Sequence, residues 1–240
     1  MKLTSLNLQA FINWKKREPH ILRYLKNEAP DIIFFQEVVF LPEVSPNNQA
    51  VLLNRYLHYE HEQSVISRLQ TSPIYKNYRE GLAVLSKFPI TTSETLVLNQ
   101  DPLDHLQRIV QLFDIQYHGQ IIKFANVHFS ENPEMAYDHL DELLHILESR
   151  HEQRIIVGDF NMPDLKHVGL WQGKYLASTS QPYISKPENN MRIDYVLIPK
   201  ADLILDVSLS DDTLSDHRAL TLDIKLANKD HTPQARSYLN

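Results

Sequence analysis

Acidic, amide and imidazole side chains stand directly beside the apolar runs of this 240-residue sequence. The clearest examples are Asn7, Glu37, His128, Asp159, Asn161, Asp194, Asp216 and His217. A carboxylate at the edge of a hydrophobic core needs a cation or a hydrogen-bond donor nearby. Several carboxylates at one sheet edge also repel each other unless a metal ion or a protonated histidine compensates. The sequence has no cysteine, so its oxygen ligands favour a hard cation, Mg²⁺ or Mn²⁺.

These residue types suit the hydrolysis of a phosphodiester. That reaction needs in-line attack, neutralisation of the equatorial oxygens and a proton for the leaving group. A divalent cation acts as a Lewis acid and lowers the pKa of water bound to it. A histidine beside a carboxylate keeps one orientation and stays charged to higher pH, so its ring can hold a phosphate oxygen. The sequence therefore carries the side chains that metal-assisted phosphoester chemistry requires.

The spacing of apolar residues predicts mainly strands, with a few helices between them. The predicted strands are 3–8, 31–36, 82–85, 109–117, 120–127, 155–157, 193–198, 203–209 and 219–226. His118-Gly119 separates two of them, which predicts a β-hairpin. The predicted helices are 19–28, 48–57 and 135–149. This mixture favours an α+β or a layered α/β sandwich.

Three polar regions are interpreted as surface. Residues 61–79 are expected to form a long loop. The histidines on or just past the last predicted helix, His139, His145 and His151, are expected to be solvated. The basic run at residues 15–17 is expected on a loop after the first strand, where it is solvated or meets a phosphate backbone.

Composition sets the broad class. Hydrophobic residues make up 42% of the chain and the net charge is −6, which argues against a strongly basic nucleic-acid coat but leaves a nuclease open. The sequence contains no run of 18 apolar residues, so it predicts no membrane span. Its N-terminus has no hydrophobic signal core. We expect a cytoplasmic monomer with one domain over residues 1–227 and a polar tail over 228–240.

Seven segments, in order along the chain, resemble the endonuclease/exonuclease/phosphatase family of metal-dependent phosphoesterases. They are SLN (5–7), PDIIFFQEV (30–38), GLAVLSKFPI (81–90), NVH (126–128), GDFN (158–161), RIDY (192–195) and SDHRAL (215–220). The family includes pancreatic-type deoxyribonuclease, AP endonucleases and neutral sphingomyelinases. The resemblance implies a four-layer αββα sandwich in which two mixed sheets face each other, with the active site at one rim.

The resemblance also implies roles for the matching residues. It places Mg²⁺ or Mn²⁺ on Glu37, with Asn7 and Asp216 near the ion. Asp159 and Asn161 would lie close to the scissile phosphate and the attacking water.

The histidines receive roles in the same way. The resemblance implies that His217, held by Asp194, contacts the phosphate or handles the proton. His128 is typical of the deoxyribonuclease and sphingomyelinase branch, where it pairs with a glutamate that Glu80 resembles. We expect Asp159 to activate water, His217 to stabilise the phosphoryl group and His128 to assist the leaving group.

The expected function is hydrolysis of phosphodiester bonds, first of all in nucleic acid. The alternatives are a sphingomyelin-like lipid head group or a small phosphoester as substrate, and a catalytically dead binding module on the same scaffold. The AP endonuclease branch usually has tyrosine in place of His128 and aspartate in place of Gln9. The phosphoinositide phosphatase branch usually has arginine in place of Met162. These departures argue against abasic-site and inositol phosphate substrates.

Overall fold

The computed structural model describes residues 1–69, 76–100 and 107–227, so the predicted tail at 228–240 lies outside the described residues. Within them the chain forms two six-stranded sheets. The first contains β1 (Lys2–Asn7), β2 (Ile32–Phe40), β3 (His61–Leu69), β4 (Arg79–Ser86), β11 (Leu203–Leu209) and β12 (Leu220–Lys225). The second contains β5 (Ile90–Val97), β6 (Ile109–Tyr117), β7 (Gln120–His128), β8 (Ile155–Asp159), β9 (Tyr175–Ala177) and β10 (Asp194–Pro199). The helices are α1 (Trp14–Glu28), α2 (Gln49–Leu57) and α3 (Pro133–Ser149).

Each sheet is mixed and has one parallel pair near its centre. The strand orders are β11-β12-β1-β2-β4-β3 and β5-β6-β7-β8-β10-β9. β1 is parallel to β2 and β7 is parallel to β8, while the remaining pairs are antiparallel. The carboxyl ends of parallel strands meet at one edge of a sheet. The two parallel pairs therefore each create an edge at which polar strand-terminal residues can meet.

Three hydrophobic cores stack the molecule into layers. The core between the sheets is built from both inner faces and includes Phe34, Phe113 and Phe124, with ring centroids 5.4–5.8 Å apart. The second core joins α1 and α2 to the outer face of the first sheet. The third joins α3 to the outer face of the second sheet. The four-layer αββα sandwich that the family resemblance implies is confirmed.

Local sequence explains where several elements begin. The Asn48 side chain accepts a hydrogen bond from the Val51 N–H at the start of α2. Asn132 accepts one from Glu134 N–H at the start of α3, and Pro133 occupies the first helical position. His118 and Gly119 both have positive φ, at 45° and 84°, as a type I′ hairpin turn requires. The predicted hairpin and the predicted second and third helices are confirmed.

Several sequence expectations are wrong. Residues 61–69 form β3 rather than a loop, because its backbone pairs with β4 although its side chains lack a long apolar run. α1 begins at Trp14 instead of residue 19. Pro19 has no backbone N–H, so it removes only one hydrogen bond of the helix, and this bond lies near the exposed amino end. The basic run at 15–17 therefore lies on a helix.

β5 and β9 escaped prediction because they lie at sheet edges, where backbone pairing rather than side-chain burial defines the strand. His139 is 1% exposed rather than solvated. Its ring lies 3.0 Å from the Asn99 carbonyl oxygen and accepts from the Ser130 N–H at 3.4 Å. The ring thereby joins α3 to the chain segment that follows β7.

A buried amide network links the two sheets. Gln36 donates to Asn126 Oδ1 at 2.8 Å, and Asn126 donates to Gln111 Oε1 at 3.1 Å. Asn126 also donates to the carbonyl oxygens of Phe35 and Ala83. Buried amides with partners specify one arrangement, because every alternative leaves donors unsatisfied. The network lies one residue from Glu37 and two from His128, so it sets the relative position of the two strand ends.

Within the described residues, no helix combines the length and apolar content needed to cross a bilayer.

Candidate active site

Polar residues from both sheets meet at one rim of the sandwich. β1 ends at Asn7, β7 at His128 and β8 at Asp159, whereas β10 begins at Asp194. In the second sheet Asp159 lies opposite His128 on one side and opposite Asp194 on the other. The carboxyl ends of the parallel strands thus meet the amino end of an antiparallel neighbour. This register is why residues from distant parts of the chain share one site.

Glu37 leaves the regular sheet through a β-bulge. The register between β2 and β4 shifts between Phe35 and Val38, and Glu37 has a left-handed backbone with φ 50°. A bulge re-aims a side chain at the edge of a sheet. The Glu37 side chain is 24% exposed and reaches the space between the sheet ends.

Asn7 bridges two carboxylates. Its amide nitrogen donates to Glu37 Oε1 at 3.0 Å and to Asp159 Oδ2 at 2.9 Å, and it is 1% exposed. Its amide oxygen accepts from the Gln9 N–H at 2.8 Å. The structure therefore brings Asn7 into the acidic cluster as a donor that holds Glu37 beside Asp159.

Asp194 and His217 form a buried pair. His217 Nδ1 lies 2.8 Å from Asp194 Oδ2, and both residues are 1% exposed. The other ring nitrogen, Nε2, lies 3.7 Å from Asp159 Oδ2 and 3.8 Å from Asp216 Oδ1. Burial lowers the pKa of His217, but the charges of Asp194 and Asp159 outweigh it and raise the pKa to about 9. These charges favour the imidazolium form of the ring, whose Nε2 faces the other carboxylates.

His128 lies on the opposite side of the cluster. Its Nε2 is 3.9 Å from Glu37 Oε1 and 3.8 Å from Asp159 Oδ2. Glu80 and His128 line the same small cavity, together with Arg108. Glu80 is 3% exposed and its charge acts on Glu37. The structure therefore brings the resemblance-based partner Glu80 into the neighbourhood of His128.

The remaining predicted residues lie around Asp159. The Asn161 backbone N–H donates to Asp159 Oδ1 at 3.0 Å, and its amide donates to the Phe129 carbonyl oxygen. The Asp216 side chain is 17% exposed and forms an ion pair with Lys186 Nζ at 2.9 Å. The structure thus brings six of the predicted side chains together through direct contacts with one another, namely Asn7, Glu37, His128, Asp159, Asp194 and His217, with Asp216 beside His217. Glu80 lines a cavity next to His128, and the Asn161 side chain binds the Phe129 backbone instead of the cluster. Their individual roles stay predictions.

The cluster has more negative charge than its own donors neutralise. Burial, together with the charges of Glu80, Asp159 and Asp216, raises the pKa of Glu37 to about 7 against the Asn7 hydrogen bond. Burial also raises the pKa of Asp159, against the attraction of His217. A bound cation would relieve both effects because it favours the ionised carboxylates. The donor set fits a divalent metal ion.

Two sets of side chains could provide metal ligands. Ligand atoms of Asp159, Asp194 and His217 lie within 4.8 Å of one another. However, Asp194 and His217 already share a hydrogen bond, and a protonated ring has no lone pair for a metal. Glu37 and Asp216 are the more exposed carboxylates and stand at the entrance of the site. Glu37 and Asp216 are therefore the favoured ligands, and Asn7, the third residue that the resemblance places near the ion, lies beside Glu37.

Sequence reasoning missed two cations at the site. Lys186 carried no signal, because a lysine before a proline is an ordinary loop dipeptide. Arg17 was interpreted only as part of a basic run, but its guanidinium donates to the carbonyl oxygens of Ile12, Leu214, Gln9 and Ala10. Arg17 thereby ties the loop after β1 to the loop before Asp216.

A family model described as Endonuclease/Exonuclease/phosphatase family matches residues 4–217. The match covers most of the chain and every residue of the rim cluster, so the protein belongs to this family. Family members are divalent-metal-dependent hydrolases that act on phosphoester bonds. No curated protein sequence matches the chain.

Solved structures share the fold at low sequence identity. An endonuclease/exonuclease/phosphatase from Beutenbergia cavernae is 18% identical with a TM-score of 0.76, over 95% of this chain and 72% of that one. The human Nocturnin catalytic domain with bound sulfate anion is 20% identical with a TM-score of 0.69, over 94% of each chain. A mannosyl-6-phosphatase from Bacteroides thetaiotaomicron is 17% identical with a TM-score of 0.66, over 94% of this chain and 100% of that one. At these identities the likeness establishes the fold alone.

Proposed function

We propose that the protein is a Mg²⁺- or Mn²⁺-dependent phosphodiesterase, with nucleic acid as its first substrate class. One observation carries the proposal: the buried Asp194–His217 pair faces Asp159 on the floor of a site whose entrance holds Glu37 and Asp216. An oriented imidazolium beside an acidic group can bind a phosphate oxygen while the carboxylate accepts a proton.

The residues divide the work as follows. Asp159, whose pKa burial raises, accepts a proton from the attacking water. His217 donates its Nε2 proton in a hydrogen bond to a non-bridging phosphate oxygen, and Asp194 keeps the ring in that orientation. His128, on the other side of Asp159, assists the leaving group. Glu37 and Asp216, with Asn7 beside them, would hold a divalent cation, which would supply Lewis acidity.

One feature supports nucleic acid as substrate. Lys15 and Lys16 are exposed on the first turn of α1, directly after the loop that leaves Asn7. Exposed lysines beside a phosphoesterase site can contact phosphates next to the scissile one. A small phosphoester is the second candidate, since one structural neighbour is named a mannosyl-6-phosphatase.

A cytoplasmic location, a monomeric state and a single domain over residues 1–227 stay predictions.

A substrate panel tests the proposal. Plasmid DNA, single-stranded DNA, RNA, sphingomyelin, a sugar phosphate and a bis-aryl phosphodiester are each incubated with Mg²⁺, Mn²⁺ or a chelator. We expect hydrolysis of DNA or RNA that the chelator abolishes. Hydrolysis of the lipid or the sugar phosphate alone would replace nucleic acid by that substrate. A folded protein inactive on all substrates would contradict the proposal and support the binding-module alternative.

Single variants test the division of roles. Asp159→Asn and His217→Ala should each lower the rate and change the pH–rate profile, because each removes a group that handles or binds a proton. Asp141→Asn, an exposed aspartate on α3, is the matched control and should keep full activity. Unchanged rates and profiles in both site variants would refute the assigned roles.

A further inference from the structure

A lysine outside the recognised motifs reaches the acidic cluster. Lys186 Nζ lies 2.9 Å from Asp216 Oδ2, and the lysine side chain is 23% exposed. The charges of Asp159 and Glu37 also act on this ammonium group. Lys186 is therefore a cation at the entrance of the site, placed on one of the two carboxylates that we favour as metal ligands.

The backbone around Lys186 is fastened to the catalytic strands. Lys186 pairs with Met191 in an isolated β-bridge. The Ser185 carbonyl oxygen accepts from Arg218 N–H at 2.7 Å, directly after His217. The Ser185 hydroxyl accepts from the N–H groups of Ile193 and Asp194. These hydrogen bonds hold the backbone next to Lys186 between the backbone segments of His217 and Asp194. The Lys186 side chain therefore extends from a fixed position at the site.

A metal ion and this ammonium group compete for the same carboxylate. Like charges a few ångströms apart repel, and a protonated lysine offers no lone pair to a metal. When a cation takes Asp216, the ammonium group needs another anionic partner. The anion that enters this site in a phosphoesterase reaction is the phosphate group, whose oxygens accept charge-assisted hydrogen bonds.

We propose that Lys186 is a phosphate-binding residue of this site, which rests on Asp216 until a divalent cation takes that carboxylate. The inference rests on the proposed function, because that function brings a phosphate group to the site. It adds a cation that the motif residues do not include, opposite His217 across Asp216.

Metal binding gives the first test. Lys186→Met removes the charge but keeps most of the apolar stem, and Lys186→Arg keeps the charge. In a calorimetric titration of the metal-free proteins, Lys186→Met should bind Mn²⁺ at least about threefold more tightly than the natural protein does. The reason is that the variant lacks the positive charge that repels the ion. Lys186→Arg should stay close to the natural affinity. Lys174→Met, which breaks an exposed ion pair with Glu148, is the matched control and should change nothing.

Phosphate binding gives the second test. Inorganic phosphate is titrated into each protein at saturating Mg²⁺. Lys186→Met should bind it about tenfold more weakly, the usual effect of losing one charge-assisted hydrogen bond, whereas Lys186→Arg should retain most of the affinity. Circular dichroism confirms that each variant is folded.

The proposal requires opposite changes in Lys186→Met, because its affinity for Mn²⁺ should rise while its affinity for phosphate should fall. Equal or weaker Mn²⁺ binding, or unchanged phosphate binding, would overturn it. Neither titration needs turnover, so the result is separate from the substrate panel. If the natural protein hydrolyses phosphodiesters but Lys186→Met binds phosphate normally, the lysine assignment fails alone. If no substrate is hydrolysed, the proposed function fails.

Discussion

Four residues with left-handed backbone conformations lie at or next to the site. Glu37, Asn161, Gln9 and Ala10 have φ values of 50°, 53°, 48° and 45°. A residue with a Cβ atom usually loses about 1–2 kcal/mol in this conformation, so specific bonds must hold it. The Asn161 N–H binds Asp159, and the Gln9 N–H binds Asn7. The backbone strain thus serves to aim side chains at the acidic cluster.

Asp194→Asn tests the orientation of His217. An asparagine amide cannot stabilise the charged ring, and its NH₂ group favours the wrong tautomer. We expect kcat to fall by between about a hundredfold and ten-thousandfold, the range for a proton-handling group, with a smaller change in KM. Steady-state kinetics on the substrate found in the panel measure both constants. Asp206→Asn, an exposed aspartate of β11, should behave as the natural protein. A loss below threefold in Asp194→Asn would contradict the role.

The strand ends at the rim depend on close backbone packing between β7 and β8. Gly158 precedes Asp159 and has φ 146°, and an added Cβ would lie 2.1 Å from the Val127 carbonyl oxygen. Val127 precedes His128, so this contact lies between two site residues. A side chain at position 158 would therefore push β7 and β8 apart next to Asp159 and His128.

Gly158→Ala should destabilise the protein by at least about 2 kcal/mol, because both the backbone conformation and the neighbouring strand oppose a methyl group. Gly169→Ala is the matched control, since its Cβ would meet nothing within 4 Å, and it should stay within about 0.5 kcal/mol. Urea denaturation measures both free energies of unfolding. Equal free energies of unfolding for the two variants would show that β7 and β8 can move apart at little cost, which would contradict this prediction.

A chain of charges stabilises the opposite end of the second sheet. Arg154 binds Asp114 and Glu152 at 2.8 Å each, and Lys123 binds Glu152 at 2.8 Å. Arg154 is 5% exposed. The hydrogen bond from Lys123 and the bonds from Arg154 lower the pKa of Glu152 against burial. A carboxylate with a lowered folded-state pKa stabilises the fold above its unfolded pKa, and this stabilisation disappears as pH falls through the folded value.

Glu152→Gln should therefore lose about 1–3 kcal/mol of stability at pH 7, as expected for hydrogen bonds to charged groups. The difference from the natural protein should shrink steadily below the usual glutamate pKa of about 4.3. Denaturant titrations between neutral and acidic pH test this. Glu94→Gln breaks an exposed pair with Arg150 and should lose less than about 1 kcal/mol. A difference that is constant with pH would exclude the ionic explanation.

At the scale of the whole molecule, the site is closed by both ends of the described chain. β1 pairs with β12, and Ser215 Oγ donates to the Asn7 carbonyl oxygen at 2.7 Å. The first sheet brings Asn7 and Glu37, the segment between β11 and β12 brings Asp216, and the second sheet brings His128 and Asp159. The packing of the two sheets therefore creates the site, and ligands that join residues of one sheet to the other should stabilise the whole fold.

Metal binding should raise the melting temperature. At a concentration about 100 times its dissociation constant, Mg²⁺ or Mn²⁺ should add about 2.7 kcal/mol of stability, or about 5–10 °C for a chain of this size. A chelator should reverse the shift, and Glu37→Gln should greatly reduce it. Glu134→Gln on the exposed start of α3 should keep the full shift. Scanning calorimetry measures each value, and a natural protein without any shift would contradict the metal site.

Local patterns predicted much of the fold. Buried runs such as residues 32–35 and 155–157 are recognisable because both faces of a central strand are apolar. The stripe of α3 and the His118-Gly119 turn carry equally local signals. β3 and β5 were missed because edge strands are defined by pairing with a neighbour, and His139 was misjudged because its burial depends on Ser130 and Asn99.

The sequence alone determined the family, the alternation of strands and helices, and the set of side chains at the strand ends, because hydrophobic periodicity and short motifs are properties of neighbouring residues. Only the tertiary structure decided that Asn7 bridges Glu37 and Asp159, and that Lys186 lies on Asp216. The Asn7 and Asp159 partners are 152 residues apart. Contacts across such separations follow from strand register and sheet packing, which no local pattern encodes.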